Sequence, residues 1–215
     1  PATVTSDATT VATANAAADT ALAPAPVAAK TIALTTGLDT GSDFTGAATD
    51  DMFVGVDNNV ATTGTLTAGD NLAGGEGTDT LKVVASGTVV QPLVSTSSIE
   101  TLELTNNSGG AYSLNSSLMA DLAKVQVTGG ANTATVTNSA ANLNIGATST
   151  NFNITTTSAV PSAGSADAIS IDLQAVGVTT NTSITSDGIE TFNVALNNVA
   201  SGSTVAGAER VVTVA

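Results

Sequence analysis

The chain has 215 residues, of which 18 are acidic and 4 are basic, so its formal net charge is −14. It contains no Cys and no His, and only four Phe and one Tyr. This composition excludes a disulfide framework, a Cys/His zinc site and Ser-His-Asp or Cys-His catalysis. Four scattered cations cannot neutralise a phosphate track, so we expect no nucleic-acid partner.

The residue types favour an exported β-protein. Abundant Thr, Val, Asn, Gly and Ser predict strands with many turns. No apolar run approaches the ~18 residues that a spanning helix needs, so we expect no membrane insertion. The lack of Cys fits an extracellular protein at the cell surface that avoids thiol chemistry.

Residues 1–30 form a low-complexity segment rich in Ala, Thr and Pro. Its Ala23-Pro24-Ala25-Pro26 stretch favours an extended, polyproline-like path. We expect this segment to act as a linker or as an assembly strand that lies on a neighbouring subunit.

Residues 31–215 are predicted to form one β-solenoid domain. The first strand, Thr31 to Thr35, alternates polar and apolar residues, as a half-buried strand does. Later short strands begin at Ala134, Leu143 and Phe152, which are evenly spaced. Regular short strands separated by Asn, Gly, Ser and Thr turns are typical of a parallel β-roll or β-helix. The alternative is a β-sandwich with strands at similar spacing.

The acidic part of this domain covers residues 31–104. Eight acids lie between Lys30 and Lys82 with no basic residue among them. These acids are Asp39, Asp43, Asp50, Asp51, Asp57, Asp70, Glu76 and Asp79. Clustered carboxylates repel one another, and calcium, which takes six to eight oxygen ligands, would relieve this repulsion. The alternative is an acidic face that only keeps the protein soluble.

One motif carries a family resemblance. The segment Gly74-Gly75-Glu76-Gly77-Thr78-Asp79-Thr80-Leu81 matches the G-G-x-G-x-D-x-apolar core of the calcium-binding RTX repeat. Gly69-Asp70-Asn71-Leu72 looks like the tail of another copy, and Asp50-Asp51-Met52-Phe53 like a degenerate one. With its Thr/Ala/Asn/Gly-rich strands, the chain resembles RTX repeat proteins and, more closely, bacterial S-layer proteins of the RTX type.

The resemblance implies a parallel β-roll in which calcium binds between coils. It implies that Asp79 and Asp70 are side-chain ligands and that Gly75 and Gly77 contribute carbonyl oxygens. Four further residues are candidate ligands by the same resemblance: Asp39, Asp43, Asp50 and Asp51. In such S-layers, calcium orders the fold and bridges neighbouring subunits.

These features predict a structural protein that self-assembles in a calcium-dependent way into a surface layer, sheath or filament. Its expected partners are copies of itself and cell-surface polysaccharide. The alternative is a carbohydrate- or surface-binding module of a secreted RTX adhesin, although sugar-binding platforms usually use exposed aromatic rings.

Enzymatic activity is not expected. The obvious carboxylate pair for acid–base work is Glu100 with Glu103, as in a glycosidase or lyase. Nothing nearby in the sequence supplies the apolar burial that would raise one pKa. Glu100 and Glu190 occupy equivalent Ile-Glu-Thr motifs, and they are interpreted either as corner ligands of calcium or as exposed strand ends.

Overall fold

The computed structural model describes residues 12–13, 27–58, 60, 62–86, 89–107 and 112–128, and seven strands between 134 and 214. Most side chains are described up to residue 128 and few beyond it. Most of the predicted N-terminal segment 1–30 therefore lies outside the described residues, as does Glu190. No helix in the described part is long and apolar enough to span a membrane.

The described chain is built almost entirely of short strands. Their bounds are β1 (Thr31–Ala33), β2 (Met52–Asp57), β3 (Asn71–Ala73), β4 (Thr80–Ala85), β5 (Val89–Val90), β6 (Ser95–Ser97), β7 (Thr101–Asn106), β8 (Tyr112–Asn115), β9 (Lys124–Thr128), β10 (Ala134–Thr137), β11 (Asn144–Thr148), β12 (Phe152–Thr157), β13 (Ala168–Gln174), β14 (Thr182–Asp187), β15 (Thr191–Asn197) and β16 (Thr213–Val214). Two 3₁₀ helices, Ser42–Phe44 and Ser116–Leu118, lie in the connections.

The strands stack into a parallel β-solenoid. One sheet has eight strands in the order β1-β2-β4-β7-β9-β11-β13-β15, a second has six in the order β16-β14-β12-β10-β8-β5, and β3 pairs with β6. The strand pairings are parallel throughout these sheets. This arrangement confirms the predicted solenoid and excludes the β-sandwich, whose sheets are antiparallel.

A narrow core follows from the alternation along each strand. In β4, Leu81 and Val83 are buried, whereas Thr80 and Lys82 between and beside them are partly exposed. Successive coils stack like residues in register, so that Phe53, Leu81 and Leu102 form an internal ladder, each at most 2% exposed. Burial of apolar surface at each ladder position stabilises the fold by about 25 cal/mol per Å². Backbone hydrogen bonds between the strands of each sheet hold neighbouring coils together.

The even spacing of the later strands has a different meaning from the predicted one. Strands β10 and β12 pair directly in the six-stranded sheet, while β11, between them in sequence, belongs to the eight-stranded sheet. The nine-residue spacing therefore separates opposite sides of one coil. A full coil is longer, as Thr31 aligns with Met52 and Met52 with Thr80.

Candidate functional site

Two columns of mostly acidic residues lie at the corners of the N-terminal coils. The first, the entry column, comprises the residues that immediately precede β1, β2, β4 and β7, namely Lys30, Asp51, Asp79 and Glu100. The second, the Asp39/Asp70 pair, lies at the corner that precedes β3. Asp39, Asp51, Asp70 and Asp79 are all at most 2% exposed, which is unusual for charged side chains.

Each carboxylate of the entry column accepts a hydrogen bond from the equivalent residue one coil earlier. Lys30 N–H donates to Asp51 Oδ1 at 2.5 Å, and Asp51 N–H donates to Asp79 Oδ1 at 2.6 Å. Asp79 N–H donates to Glu100 Oε2 at 2.8 Å. These N–H groups belong to residues outside the strands, and a buried N–H without a partner is costly. The carboxylates thus extend the backbone ladder by one rung beyond the sheet.

The entry column ends at Glu100, because the equivalent residue of the following coil is not acidic. The next equivalent residue is Ala123, whose N–H donates to Glu100 O at 2.8 Å but which has no side-chain acceptor. The corner before Glu100 is also shorter than those before Asp51 and Asp79. Gly74 aligns with Ser98, and one residue lies between Ser98 and Glu100 where four lie between Gly74 and Asp79. Glutamate, one methylene longer than aspartate, reaches the same type of donor from this shorter corner.

Asp51 is stabilised as a carboxylate. Its Oδ2 accepts a hydrogen bond from Ala47 N–H within its own corner, in addition to the bond from Lys30 N–H. Burial pushes the pKa of Asp51 upward, but the two N–H donors and the charge of Lys30 outweigh it, and the pKa is lowered. The negative charge of Asp51 is therefore part of the folded structure.

Asp79 has the opposite electrostatic balance. Its Oδ2 is buried and has no hydrogen-bond partner among the described residues. Burial is the largest cause that raises the pKa of Asp79, and the charges of Asp51, Glu100 and Asp50 raise it further. The N–H of Asp51 opposes this rise without cancelling it. Asp79 is consequently the one carboxylate of the column with a buried oxygen left over.

At the other corner, the Asp39/Asp70 pair makes the same type of hydrogen bond between adjacent coils. Asp39 N–H donates to Asp70 Oδ1 at 3.0 Å. Each acid also bonds a threonine of its own turn, since Thr35 donates to Asp39 from N–H at 2.8 Å and from Oγ1 at 2.5 Å. Thr67 does the same for Asp70, at 2.7 Å and 2.9 Å. Every oxygen of this pair therefore has a donor.

The glycines of the RTX-like segment allow the corners of adjacent coils to approach closely. Gly75 and Gly77 have φ of 106° and 123°, which L side chains rarely adopt. A Cβ on Gly77 would lie 2.6 Å from the carbonyl carbon of Thr49 in the preceding coil, and one on Gly75 would clash with Ala47 O. The role of their carbonyl oxygens as calcium ligands stays a prediction.

The remaining predicted ligands lie at the surface. Asp43 is exposed in the first 3₁₀ helix, and Asp50 is exposed while its Oδ1 accepts the Thr78 N–H at 2.8 Å. Within the described residues, no group of three or more acidic side chains is arranged to hold a metal ion. The carboxylate oxygens of Asp39, Asp51 and Asp70 accept N–H or O–H donors, whereas Asp79 Oδ2 has no donor among the described residues. The roles of these four residues as calcium ligands stay predictions.

Sequence reasoning missed two features of these corners. Glu100 accepts the N–H of Asp79, a contact that neither interpretation of this residue included, and its role as a calcium ligand stays a prediction. Asp121 caps Ser98 N–H at 2.7 Å, and Ser98 has a φ of 49°. The sequence signal that Glu100 and Asp121 share is an acid within three residues before the start of a strand.

A buried Tyr–Asp pair lies across the core. Tyr112 OH donates to Asp57 Oδ2 at 3.0 Å, which links β8 of one sheet to the end of β2 in the other. Burial, followed by the charge and hydrogen bond of Asp57, raises the pKa of Tyr112 well above its usual value. This bond ties the two sheets together and is typical of a structural contact.

Glu100 and Glu103, the carboxylate pair that was considered for acid–base work, both make structural contacts. Glu100 holds the Asp79 N–H, and Glu103 is about half exposed beside Lys82, with 3.7 Å between Nζ and Oε2.

Comparisons with known proteins give no family. No family model matches the chain, and no curated protein matches it. The resemblance to RTX-type S-layer proteins accordingly stays a prediction based mainly on residues 31–104.

Proposed function

We propose that this chain is a structural protein of the cell exterior that assembles with copies of itself into a surface layer, sheath or filament. The observation that supports this proposal best is the use of the buried acids. In the N-terminal coils they bond backbone N–H groups of adjacent coils, so their chemistry serves the cohesion of the stack. A protein whose buried charges hold its own repeats together is suited to bearing load.

The stack also offers a way to grow. Among the described strands, β1 stands at the end of the eight-stranded sheet and pairs with β2 on one side. Edge strands accept further strands because their backbone groups are ready to pair. Lys30, directly before β1, donates from its Nζ to Thr45 O at 3.1 Å and Gly46 O at 3.3 Å within the same coil. A second copy stacked on β1 would continue the parallel hydrogen-bond pattern.

Calcium enters this proposal through the exposed acids. With a net charge of −14, copies of the chain repel one another at low ionic strength. Asp43, Asp50 and Glu76 are exposed and contribute to that repulsion. A divalent cation bound at such carboxylates supplies the positive charge that lets two copies approach. Affinity of about 10⁻⁴–10⁻³ M, as in extracellular modules, is sufficient for this role.

The test is light scattering with circular dichroism in EDTA, then in CaCl₂, with MgCl₂ and NaCl at matched ionic strength. We expect particle size to rise reversibly with calcium while the β-signal is kept or increased. The double variant Asp50→Asn/Glu76→Gln should need a different calcium concentration from wild type. Glu103→Gln, which removes an exposed acid elsewhere, is the matched control. A chain that stays monomeric under every condition contradicts the proposal.

The carbohydrate-binding alternative is less well supported by the described side chains. Phe53 and Tyr112 are at most 1% exposed, and Phe44 is partly buried against the core. Phe152 and Phe192 lie outside the described side chains. A reproducible hit on a glycan array, together with an unchanged particle size in calcium, would favour the binding module.

A further inference from the structure

Besides its two large sheets, the solenoid has a third side, which strands β3 and β6 form in the second and third coils. On this side each coil offers a carbonyl oxygen to the coil before it. Gly46 N–H of the first coil donates to Ala73 O of the second at 2.8 Å. Gly74 N–H of the second coil donates to Ser97 O of the third at 2.9 Å. The same carbonyls of the first coil therefore face the place where a preceding coil would lie.

The next carbonyl along the chain faces the preceding coil as well. A Cβ on Gly46 would clash with Gly74 O, and a Cβ on Gly74 would clash with Ser98 O. At this corner a glycine Cα thus lies directly against the carbonyl of the following coil. Thr45 pairs with Ala73, so Thr45 and Gly46 are the equivalents of Ala73 and Gly74 in the first coil. Their two carbonyl oxygens are the acceptors that a further coil would meet.

The ammonium of Lys30 lies against these two oxygens. Lys30 Nζ donates to Thr45 O at 3.1 Å and to Gly46 O at 3.3 Å. The residue is exposed and directly precedes β1, at the end of the described stack. A charged group therefore occupies the position where the glycine of a further coil would pack.

Lys30 also departs from the hydrogen-bond pattern of the entry column. Asp51, Asp79 and Glu100 each accept an N–H from the coil before their own. Lys30 stands at the equivalent position of the first coil, and an ammonium is a donor with no acceptor oxygen. A further coil added here would leave the corresponding N–H without a carboxylate, which is costly for a buried donor.

We infer that Lys30 is an end cap that restrains the addition of another copy at β1, and this inference rests on the proposed self-assembly. The backbone groups of β1 are placed to pair, but a copy stacked there must displace the ammonium from Thr45 O and Gly46 O. Natural sheets use lysine at exposed edges to limit such pairing. Growth at this end therefore requires the release of one side chain.

The first test is light scattering in CaCl₂ over a series of chain concentrations, which gives the lowest concentration at which particles form. Lys30→Met removes the ammonium and keeps a side chain of similar length. Because hydrogen bonds from a charged group no longer have to be broken, this concentration should fall about tenfold. Lys30→Arg, which keeps donors for both carbonyls, should stay near the wild-type value.

Lys124→Met is the matched control. Lys124 is exposed at the start of β9, and its loss changes the net charge by the same amount. Since the chain is already acidic, loss of a positive charge alone increases the repulsion between copies. The particle-forming concentration of this control should therefore rise or stay unchanged. Circular dichroism checks that each variant folds.

The second test restores the charge chemically. The chain has no Cys, so Lys30→Cys carries a single thiol. Alkylation with 2-bromoethylamine rebuilds an ammonium at the length of lysine, whereas methyl methanethiosulfonate adds a neutral group without donors. The neutral adduct should assemble at about the concentration of Lys30→Met, and the ammonium adduct at that of wild type. A substitution that only loosened the first coil would give the same result with both adducts.

The outcomes separate this inference from the proposed function. A particle-forming concentration that is unchanged or higher in Lys30→Met, or that is equal for the two Cys adducts, overturns the end cap while self-assembly stands. Absence of association in wild type and in every variant overturns the proposed function itself, and the end cap with it.

Discussion

Two aspartates in the same column should respond in opposite ways to the same substitution. Asp51 uses both oxygens as acceptors, from Lys30 N–H and Ala47 N–H. In Asp51→Asn one of these acceptors becomes an NH₂ donor that faces another donor. Hydrogen bonds to a charged group contribute about 1.5–3 kcal/mol each. We therefore expect Asp51→Asn to lower the free energy of unfolding by about 2 kcal/mol.

Asp79 uses one oxygen only. In Asp79→Asn the amide oxygen still accepts the Asp51 N–H, and the NH₂ takes the place of the unpartnered Oδ2. The substitution also removes the repulsion from Asp51, Glu100 and Asp50. We expect stability to stay within about 0.5 kcal/mol of wild type or to increase. Asp79→Ala, which also loses the acceptor, should be clearly less stable than Asp79→Asn.

Urea unfolding followed by circular dichroism at pH 7 measures both effects. With a slope of about 2 kcal/mol per M, the expected loss in Asp51→Asn lowers the midpoint by about 1 M. A solenoid can unfold in steps, so the midpoint of the N-terminal coils is the quantity compared. Equal losses in Asp51→Asn and Asp79→Asn would refute the reasoning that only one of them has a spare oxygen.

The pH dependence has opposite signs for the two residues. The pKa of Asp51 is lowered from 3.8, so its contribution is present above pH 3.8 and is lost as the pH falls through the folded value. The pKa of Asp79 is raised from 3.8, so ionising it costs stability. That cost disappears as the pH falls through its raised pKa. Asp79→Asn should thus remove a rise in stability that wild type shows on mild acidification.

Three further predictions test the corners and the core. Gly77→Ala should destabilise by more than about 1 kcal/mol, because of its positive φ and the 2.6 Å approach to Thr49, whereas Gly37→Ala, with its nearest atom at 3.6 Å, should be nearly neutral in the same urea assay. Thr67→Val should cost about 1.5–3 kcal/mol through loss of the hydroxyl bond to the Asp70 carboxylate, and an unchanged midpoint would contradict that contact. Tyr112 is the only tyrosine, so absorbance at the phenolate band reports it alone; it should stay un-ionised beyond pH 10 until the chain unfolds, and stability should fall above that pH. Ionisation of the folded chain at the usual value would show that the Tyr112–Asp57 contact is absent, and Tyr112→Phe should lower stability by about 1–3 kcal/mol.

The strands were the most predictable part of this protein. Alternation of small polar and apolar residues in segments such as Thr31 to Thr35 is a local property, and it identified β-structure and a narrow core. The turn role of Gly75 and Gly77 was also predictable, since G-x-G spacing before Asp79 is typical of tight corners. The contacts of the acids were harder to predict, because the donors that belong to the adjacent coil lie 21 to 31 residues away in sequence.

By itself, the sequence determined the class of fold, the absence of Cys and His chemistry, and the places where acid and glycine stand together. The tertiary structure alone decided what those acids contact. Stacking in register brings the N–H of one coil under the carboxylate of the next, and that register depends on coil lengths that vary from corner to corner. A carboxylate can accept a backbone N–H only where the neighbouring coil places one, and the sequence alone does not give that position.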